Sequence, residues 1–261
     1  MNKYFIADFI APLVNWRMIY LRAIQSIRNR FARSKLGQIW TTLSLSVLLT
    51  VIGAMWSLIF GFTLDEFLPT LVTGYVIYLL LATTITESCK AIIDDEKFYQ
   101  DRPYSFFLSI YVLVARNIVF FLYNVLIILL AVAWSDSATV SLPLLYPVYI
   151  LLSMVLLFFG SFTISMLCVY FRDIIPLVGT IMSVAFLMTP VLWKPTMIPE
   201  IYRDYIYFNP FACMLELLRN PLVGQPISDM AVLATLGWGG LALITSWVVW
   251  KRYSRHAIYW I

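Results

Sequence analysis

Arg28-Asn29-Arg30-Phe31-Ala32-Arg33-Ser34-Lys35-Leu36-Gly37-Gln38-Ile39-Trp40 sets four cations immediately ahead of the first long apolar run. Lys and Arg stay beside anionic headgroups on the cytoplasmic side of short segments, so this junction predicts that the chain starts inside and enters the bilayer at Trp40. Upstream, Trp16, Tyr20, Ile24, Ile27 and Phe31 recur at helical spacing, while Arg22, Gln25, Asn29, Arg30 and Arg33 fall on other faces. That is the pattern of an amphipathic helix lying in the interface. An orientation signal with an anchor accounts for every arginine; the alternative reading adds a cytoplasmic partner.

Composition points the same way. Of 261 residues, 62% are hydrophobic and 12% charged, with a mean hydropathy of +0.86, far from the soluble globular range. A span needs about 20 apolar residues, and six stretches meet or approach that length: 39–62, 68–87, 107–134, 145–171, 174–193 and 230–250. Basic residues crowd the N-terminal arm (1–37), the connection holding Lys90, Lys97 and Arg102, and the tail (251–261) with Lys251, Arg252 and Arg255. The first and third connections offer only Asp65, Glu66 and Asp136. The expectation is therefore an all-α integral membrane protein, an arm followed by a six-span domain over 38–261, both termini cytoplasmic. A long polar, Arg-rich segment precedes the first apolar run, so no cleavable signal peptide is expected.

The fifth connection, 194–229, departs from this simplicity. Pro195, Pro199, Pro210, Pro221 and Pro226 divide it into two short amphiphilic pieces, 198–207 and 211–219, each too short to cross. A pair of re-entrant or periplasmic helices beside a hydrated pathway is one reading, because irregular backbone at membrane depth needs protein or water around it. A plain surface loop is the other.

Several chemistries find no motif. There is no GxxxxGK[ST], HExxH or GxSxG, and the one histidine, His256, lies in the tail. Cys89, Cys168 and Cys213 have no metal-ligand or disulfide spacing and read as packing residues. The net charge of +4 is absorbed by topology, which leaves little reason to expect nucleic-acid binding. Four of the six stretches hold no charge, which argues against ion-coupled transport, and Arg116 is expected to reach the cytoplasmic interface rather than relay protons.

Two cytoplasmic clusters stand out. Asp94-Asp95-Glu96-Lys97-Phe98-Tyr99-Gln100-Asp101-Arg102-Pro103-Tyr104 mixes both signs of charge with aromatic anchors, suited to docking a protein or to anchoring at the interface. Arg172-Asp173 sits in a tight turn before Pro176, where the two residues can pair or cap the next helix. Trp56, Tyr75, Tyr78, Tyr123 and Phe186 place aromatic faces within the spans, where they pack or line a path for sugars or lipid.

The stretch Arg30 to Trp40 resembles the R-[YF]-x-x-S-x-L-G-x-x-W signature of type-2 ABC exporter permeases, closest to the polysaccharide, O-antigen and capsule branch. Tyr170-Phe171-Arg172-Asp173-Ile174-Ile175-Pro176-Leu177-Val178, then Met188-Thr189-Pro190-Val191-Leu192-Trp193, then Phe208-Asn209-Pro210-Phe211, resemble further segments of that family in its order. The resemblance implies a homodimer of six-span subunits working with two separate ATPase chains, which would hold ATP and Mg; no cofactor is expected on this chain. It implies coupling through Glu96, Phe98, Tyr99, Arg102, Arg172 and Asp173. A substrate channel would involve Trp40, Ser44, Trp56, Tyr75, Tyr78, Phe186 and Trp193, and a periplasmic gate Pro190, Asn209, Pro210, Glu216 and Arg219. No proline follows Trp40, where relatives often carry one; Thr41, Thr42, Ser44 and Ser46 stand there instead, implying a straighter, polar start to the first span.

The expected function is export of a lipid-linked polysaccharide, O-antigen first and capsule second, across the bacterial inner membrane. The rivals are an exporter of drugs, teichoic acid or small lipids, a membrane enzyme acting on lipid phosphates, and a non-transporting scaffold. For the enzyme, Arg203, Asp204, Glu216 and Arg219 are the available outer residues.

Overall fold

The computed structural model of the chain describes residues 3–32, 34–61, 63–101, 104–136, 140–254 and 257. Among these residues there are α-helices and short 3-10 turns and no strand. Two helices form the arm, α1 (Lys3–Val14) and α2 (Trp16–Arg30), followed by α3 (Gln38–Phe60) and α4 (Leu64–Ala91). A short α5 (Glu96–Asp101) leads to α6 (Phe107–Trp134), α7 (Tyr146–Tyr170) and α8 (Ile174–Met188). Then come α9 (Glu200–Arg203), α10 (Pro210–Arg219) and α11 (Asp229–Tyr253).

The signature residues explain how the arm becomes a membrane helix. Gly37 takes φ 54° and ψ −133°, a backbone open to glycine alone, and its N–H donates to Ser34 Oγ at 3.0 Å. The chain thus turns sharply between α2 and α3. A second glycine, Gly53, lets α3 approach α4 closely, since a Cβ there would stand 2.6 Å from Leu68 Cδ1.

The centre of the bundle is α4, on which α3, α6, α7, α8 and α10 all pack. It is the most buried of the long apolar helices, and Leu71, Ile77 and Leu81 are sealed inside. Opposite α4, α7 pairs extensively with α11. Ala231, Thr235, Gly239, Ala242, Ser246 and Val249 form the buried stripe of α11, at helical spacing, and α7 buries Ser153, Ser161 and Ser165. Small side chains let helices approach where lipid offers no hydrophobic drive between them.

Five helices, α3, α4, α6, α7 and α11, are long and apolar enough to cross a membrane. The stretch 174–193 differs from expectation: its helix, α8, stops after 15 residues, roughly 22 Å and short of a full crossing. Pro190 is the cause. The residue before a proline is pushed out of the helical region, and Thr189 sits at ψ 135°. The chain nevertheless runs the length of the bundle, antiparallel to α4: Tyr78 Oη donates to Met182 O at 2.6 Å, and further on Lys194 ion-pairs Glu66 in the first turn of α4.

The arm holds more than the single interfacial helix expected. Its first helix, α1, tucks Phe5 and Phe9 among Phe107, Phe158, Phe159 and Trp250, with ring centroids 5.4 to 5.6 Å apart. Trp250 Nε1 donates to Asp8 at 2.8 Å. The second, α2, matches the expected amphipathic helix and leaves Trp16 and Tyr20 exposed. The two pieces expected in 198–207 and 211–219 appear as α9 with a following 3-10 turn (Asp204–Phe208), and as α10.

Candidate translocation path and coupling surface

Contacts between connections define the two ends of the bundle. At one end, α4 runs into Asp94, Asp95 and α5, and Cys89 of α4 shares a buried cluster with Cys168 of α7. Tyr170, closing α7, donates to Tyr253 O at 2.8 Å, which brings the end of α11 alongside. At the other end, Ser135 Oγ donates to Asp65 O at 2.7 Å, Ser141 N to Pro221 O at 2.9 Å, and Lys194 meets Glu66. The basic connections therefore gather at the first end, with Asp65, Glu66, Asp136 and the 194–229 segment at the second.

At the first end, α5 is built into its surroundings. Tyr99 is buried, and its hydroxyl shares a 2.6 Å hydrogen bond with Ser109 Oγ; burial raises its pKa above the usual phenol value. Ser109 donates to Asp95 at 2.5 Å, and Arg22 of α2 reaches the other oxygen of Asp95 at 2.5 Å. The Arg22 guanidinium lies 4.0 Å above the Phe98 ring, which stacks on Tyr104 at 4.7 Å. Phe98 and Tyr99 thus tie α5 to α2 and α6, while Glu96 lies at the start of the helix. Arg102 lies outside the described residues. Arg172 and Asp173 form the exposed turn between α7 and α8, and Asp173 makes no side-chain cap hydrogen bond.

One residue that the sequence did not single out organises this end. Glu87 of α4 pairs with Arg116 of α6 at 2.6 Å and with Arg30 of α2 at 2.9 Å. Arg116 also donates to Ser26 at 2.9 Å. Arg116 is therefore spent on holding α2 against α4 and α6, not on reaching the interface alone. Glu87 marked the end of an apolar stretch in the sequence, and nothing local announces partners 29 and 57 positions away.

From Glu87 an amphipathic groove of about 530 Å³ runs between α3, α4 and α6. Trp40 and Ser44 line it, with Thr83, Asn117 and Asn124 supplying polar atoms and Leu48 and Phe121 an apolar wall. Around the α4 surface lies a cavity of about 360 Å³ between α4 and α8, holding Tyr75, Tyr78 and Phe186. Tyr75 and Tyr78 lie 5.7 and 5.2 Å from the Phe186 ring. Leu79 borders both spaces. Although α4 is largely buried, Tyr75, Leu79, Ala82, Thr83, Thr86, Glu87 and Lys90 remain half-buried or exposed. Their spacing places them on one helix face. Trp56, by contrast, packs against Phe60 on α3 and lines neither space.

The second end is held by buried polar groups. Asn209 caps α10 by accepting from Phe211 N at 3.0 Å and donates to Thr189 at 2.9 Å, with Pro210 in the first turn, where a missing N–H costs nothing. Arg219 donates to Pro190 O at 2.6 Å and to Asn220 Oδ1 at 3.4 Å, and its stem packs on Gly74 of α4. It is 3% exposed, and burial lowers its pKa to about 10, leaving it charged at neutral pH. Glu216 accepts from Ser228 N at 2.8 Å, and burial raises its carboxyl above the usual range. Trp193 donates to Leu187 O at 3.0 Å and borders an apolar cleft of about 710 Å³ with Tyr202, Tyr205, Phe208 and Phe211. The residues expected at a gate are thus brought together. Arg203, however, turns to Ile198 O and Glu200, so Arg203 and Arg219 do not converge on one site.

These features define a multi-pass membrane protein with a polar clamp at one end and a proline-broken hairpin at the other. Residues 18–223 match the ABC-2 type transporter family, from α2 through the turn after α10, and the chain belongs to that family. Comparison with curated proteins finds no match.

Proposed function

We propose that the chain is the membrane-spanning subunit of an ABC exporter that carries lipid-linked polysaccharide, O-antigen before capsule, across the bacterial inner membrane. Two copies would face each other, with two cytoplasmic ATPase chains supplying ATP hydrolysis with Mg. In this reading α8 and residues 189–193 together make the sixth crossing, and both termini lie in the cytoplasm with the basic connections.

The observation that carries the reading is the open face of α4. A helix packed by five neighbours keeps Tyr75, Leu79, Thr83 and Thr86 accessible, flanked by Trp40 and Ser44 on one side and by Ser183 and Phe186 on the other. A glycan cannot pass hydrocarbon, so it needs a hydrated wall of hydroxyls and aromatic faces. A second copy placed across this face would close it into a channel. Movement would enter through α5 and the Phe171–Asp173 turn and reach the outer hairpin along α4 and α8.

Deletion of the gene should trap finished lipid-linked polymer on the cytoplasmic face. Normal surface polymer in the deletion strain, with no second permease of this kind encoded, would overturn the substrate assignment. The apolar cleft by Trp193 favours a second reading, an exporter of drugs, teichoic acid or small lipids. Dye efflux that depends on this chain without any change in surface glycan would select it.

A further inference from the structure

A separate cavity of about 550 Å³ lies under α2, at the ends of α4 and α6 where the arm meets the bundle, and its walls are charged. On one side α2 presents Arg22, Gln25, Ser26 and Asn29, a single helix face at spacings of three and four. An interfacial helix ordinarily turns such a face to water, but this one turns it towards α4 and α6. Opposite stand Glu87, Lys90, Asp94, Asp95, Ser109 and Arg116. Gln25, Asn29, Lys90 and Asp94 stand exposed at the cavity mouth, while one terminal nitrogen of Arg22 is buried there, where an unsatisfied polar group costs about a kcal/mol or more.

The internal pairings leave a defined remainder. Arg116 is taken by Glu87 and Ser26, and one nitrogen of Arg22 by Asp95. The other terminal nitrogen of Arg22 is buried without a hydrogen-bond partner. Lys90 and Asp94 enter none of the ion pairs among the described residues, although the charges of Lys90, Asp95 and Arg116 act on Asp94. What remains is one free ammonium with an unspent guanidinium nitrogen, and one free carboxylate, at a single mouth. Gln25 and Asn29 add amide oxygens beside them.

We infer that this cavity binds a phosphodiester carrying a primary ammonium, the head group of an aminophospholipid such as phosphatidylethanolamine. The phosphate would take Lys90 and the free nitrogen of Arg22, charge-assisted contacts of the strong kind. The ammonium would take Asp94 and the amide oxygens of Gln25 or Asn29. Such a ligand is neutral overall and so matches the neutral remainder. An anionic phosphatidylglycerol leaves Asp94 unpaired and repelling, and the quaternary ammonium of phosphatidylcholine has no N–H to give. Bound there, the lipid would brace α2 against α4 beside the Arg22–Asp95 pair. This inference does not depend on what the transporter carries.

The test uses the purified full chain in mixed micelles holding equal amounts of dioleoyl phosphatidylethanolamine, phosphatidylglycerol and phosphatidylcholine, with retained lipid counted by native mass spectrometry. Phosphatidylethanolamine should be retained about tenfold over either competitor, equivalent to about 1.4 kcal/mol. Lys90→Gln and Asp94→Asn should each erase that preference; neither residue holds an ion pair, so both variants should fold. Gln25→Leu, on the opposite wall, should lower the preference without touching α4. Displacement by soluble glycerophosphoethanolamine would mark the head group as sufficient, and resistance to it would mark the whole lipid as the ligand; either supports the site. Equal retention of the three lipids, preference for phosphatidylglycerol, or a preference that survives both α4 substitutions would leave a water-filled vestibule and overturn the inference.

Discussion

At the end of the bundle where α2 lies, charges meet charges. Arg22 pairs with Asp95, and Arg30 and Arg116 share Glu87, in side chains that keep between 19% and 49% of their surface exposed. At the opposite end Arg219 is sealed away and bonded to a backbone carbonyl and an amide, with Glu216 turned to the backbone N–H of Ser228. Partly exposed pairs of the first kind are weaker and more easily exchanged, whereas a buried ion with fixed partners is costly to disturb. The contrast fits an end that changes partners and an end that holds its shape. In the proposed exporter, the first would follow the ATPase and the second would keep the outer hairpin seated on α4.

The comparison breaks most sharply at Arg219. Arg219→Met removes the donor to Pro190 O and leaves that carbonyl and Asn220 without it in a buried place. A loss of about 3 kcal/mol is expected from the two buried acceptors left unpaired, read as a large fall in melting temperature in detergent and a loss of folded protein. A melting temperature unchanged by Arg219→Met would mean that the knot around Arg219 does not hold the hairpin.

Glu87→Gln should have the next largest effect. It leaves Arg116, partly buried, without its anion, at about 1–3 kcal/mol, while the exposed Arg30 adds little. Reconstituted with the ATPase, this variant should keep ATP hydrolysis but lose transport, because α2 is no longer held to α4. Transport at the original level would sever the link between the clamp and coupling.

A smaller effect is expected at Arg22 and Asp95. A double-mutant cycle with Arg22→Gln and Asp95→Asn should give a coupling energy of about 0.5–1 kcal/mol, discounted for solvent around both side chains. It should shrink as salt rises. A coupling that ignores salt would place this pair with the buried network at the opposite end rather than with the exchangeable end.

The two ends were unequally legible in the sequence. The α6 helix runs from Phe107 to Trp134, the expected 107–134, because an apolar run flanked by polar breaks gives both helix and limits. For α4 the apolar rule stopped at 68–87, yet the helix spans Leu64–Ala91. Asp65 and Glu66 favour a helix N-terminus and Lys90 a C-terminus, so charges that end a hydrophobic stretch extend the helix itself. The fifth stretch was overrun at Thr189, where the following proline outweighs hydropathy. Asn209-Pro210 carries its own cap in the sequence. Glu87, by contrast, gains its meaning from residues far along the chain, and although Phe5 and Phe9 stand one helical turn apart, nothing local names the distant aromatics that pack on them. Local chemistry reads out of a sequence; long-range pairing of charges does not.

The finest distinction concerns Glu216, which separates a buried neutral acid from a buried ion. Burial is the largest influence and raises its carboxyl, opposed by the hydrogen bonds from Ser228 and Tyr207 and by the charge of Arg219. An acid whose pKa is higher in the folded state adds stability that is fully present below its unfolded value, near 4.5. That stability is lost as pH rises through the raised value. Glu216→Gln keeps an acceptor for Ser228 N and cannot ionise, so it lacks this loss. Melting curves of the two proteins should therefore coincide near pH 4 and separate as pH rises to 8, with the variant the more stable of the two. If the two curves stay parallel, Glu216 titrates in the fold as it does in the unfolded chain and is ionised at neutral pH, and this end would then carry an ionic Glu216 close to Arg219, much like the end it is contrasted with.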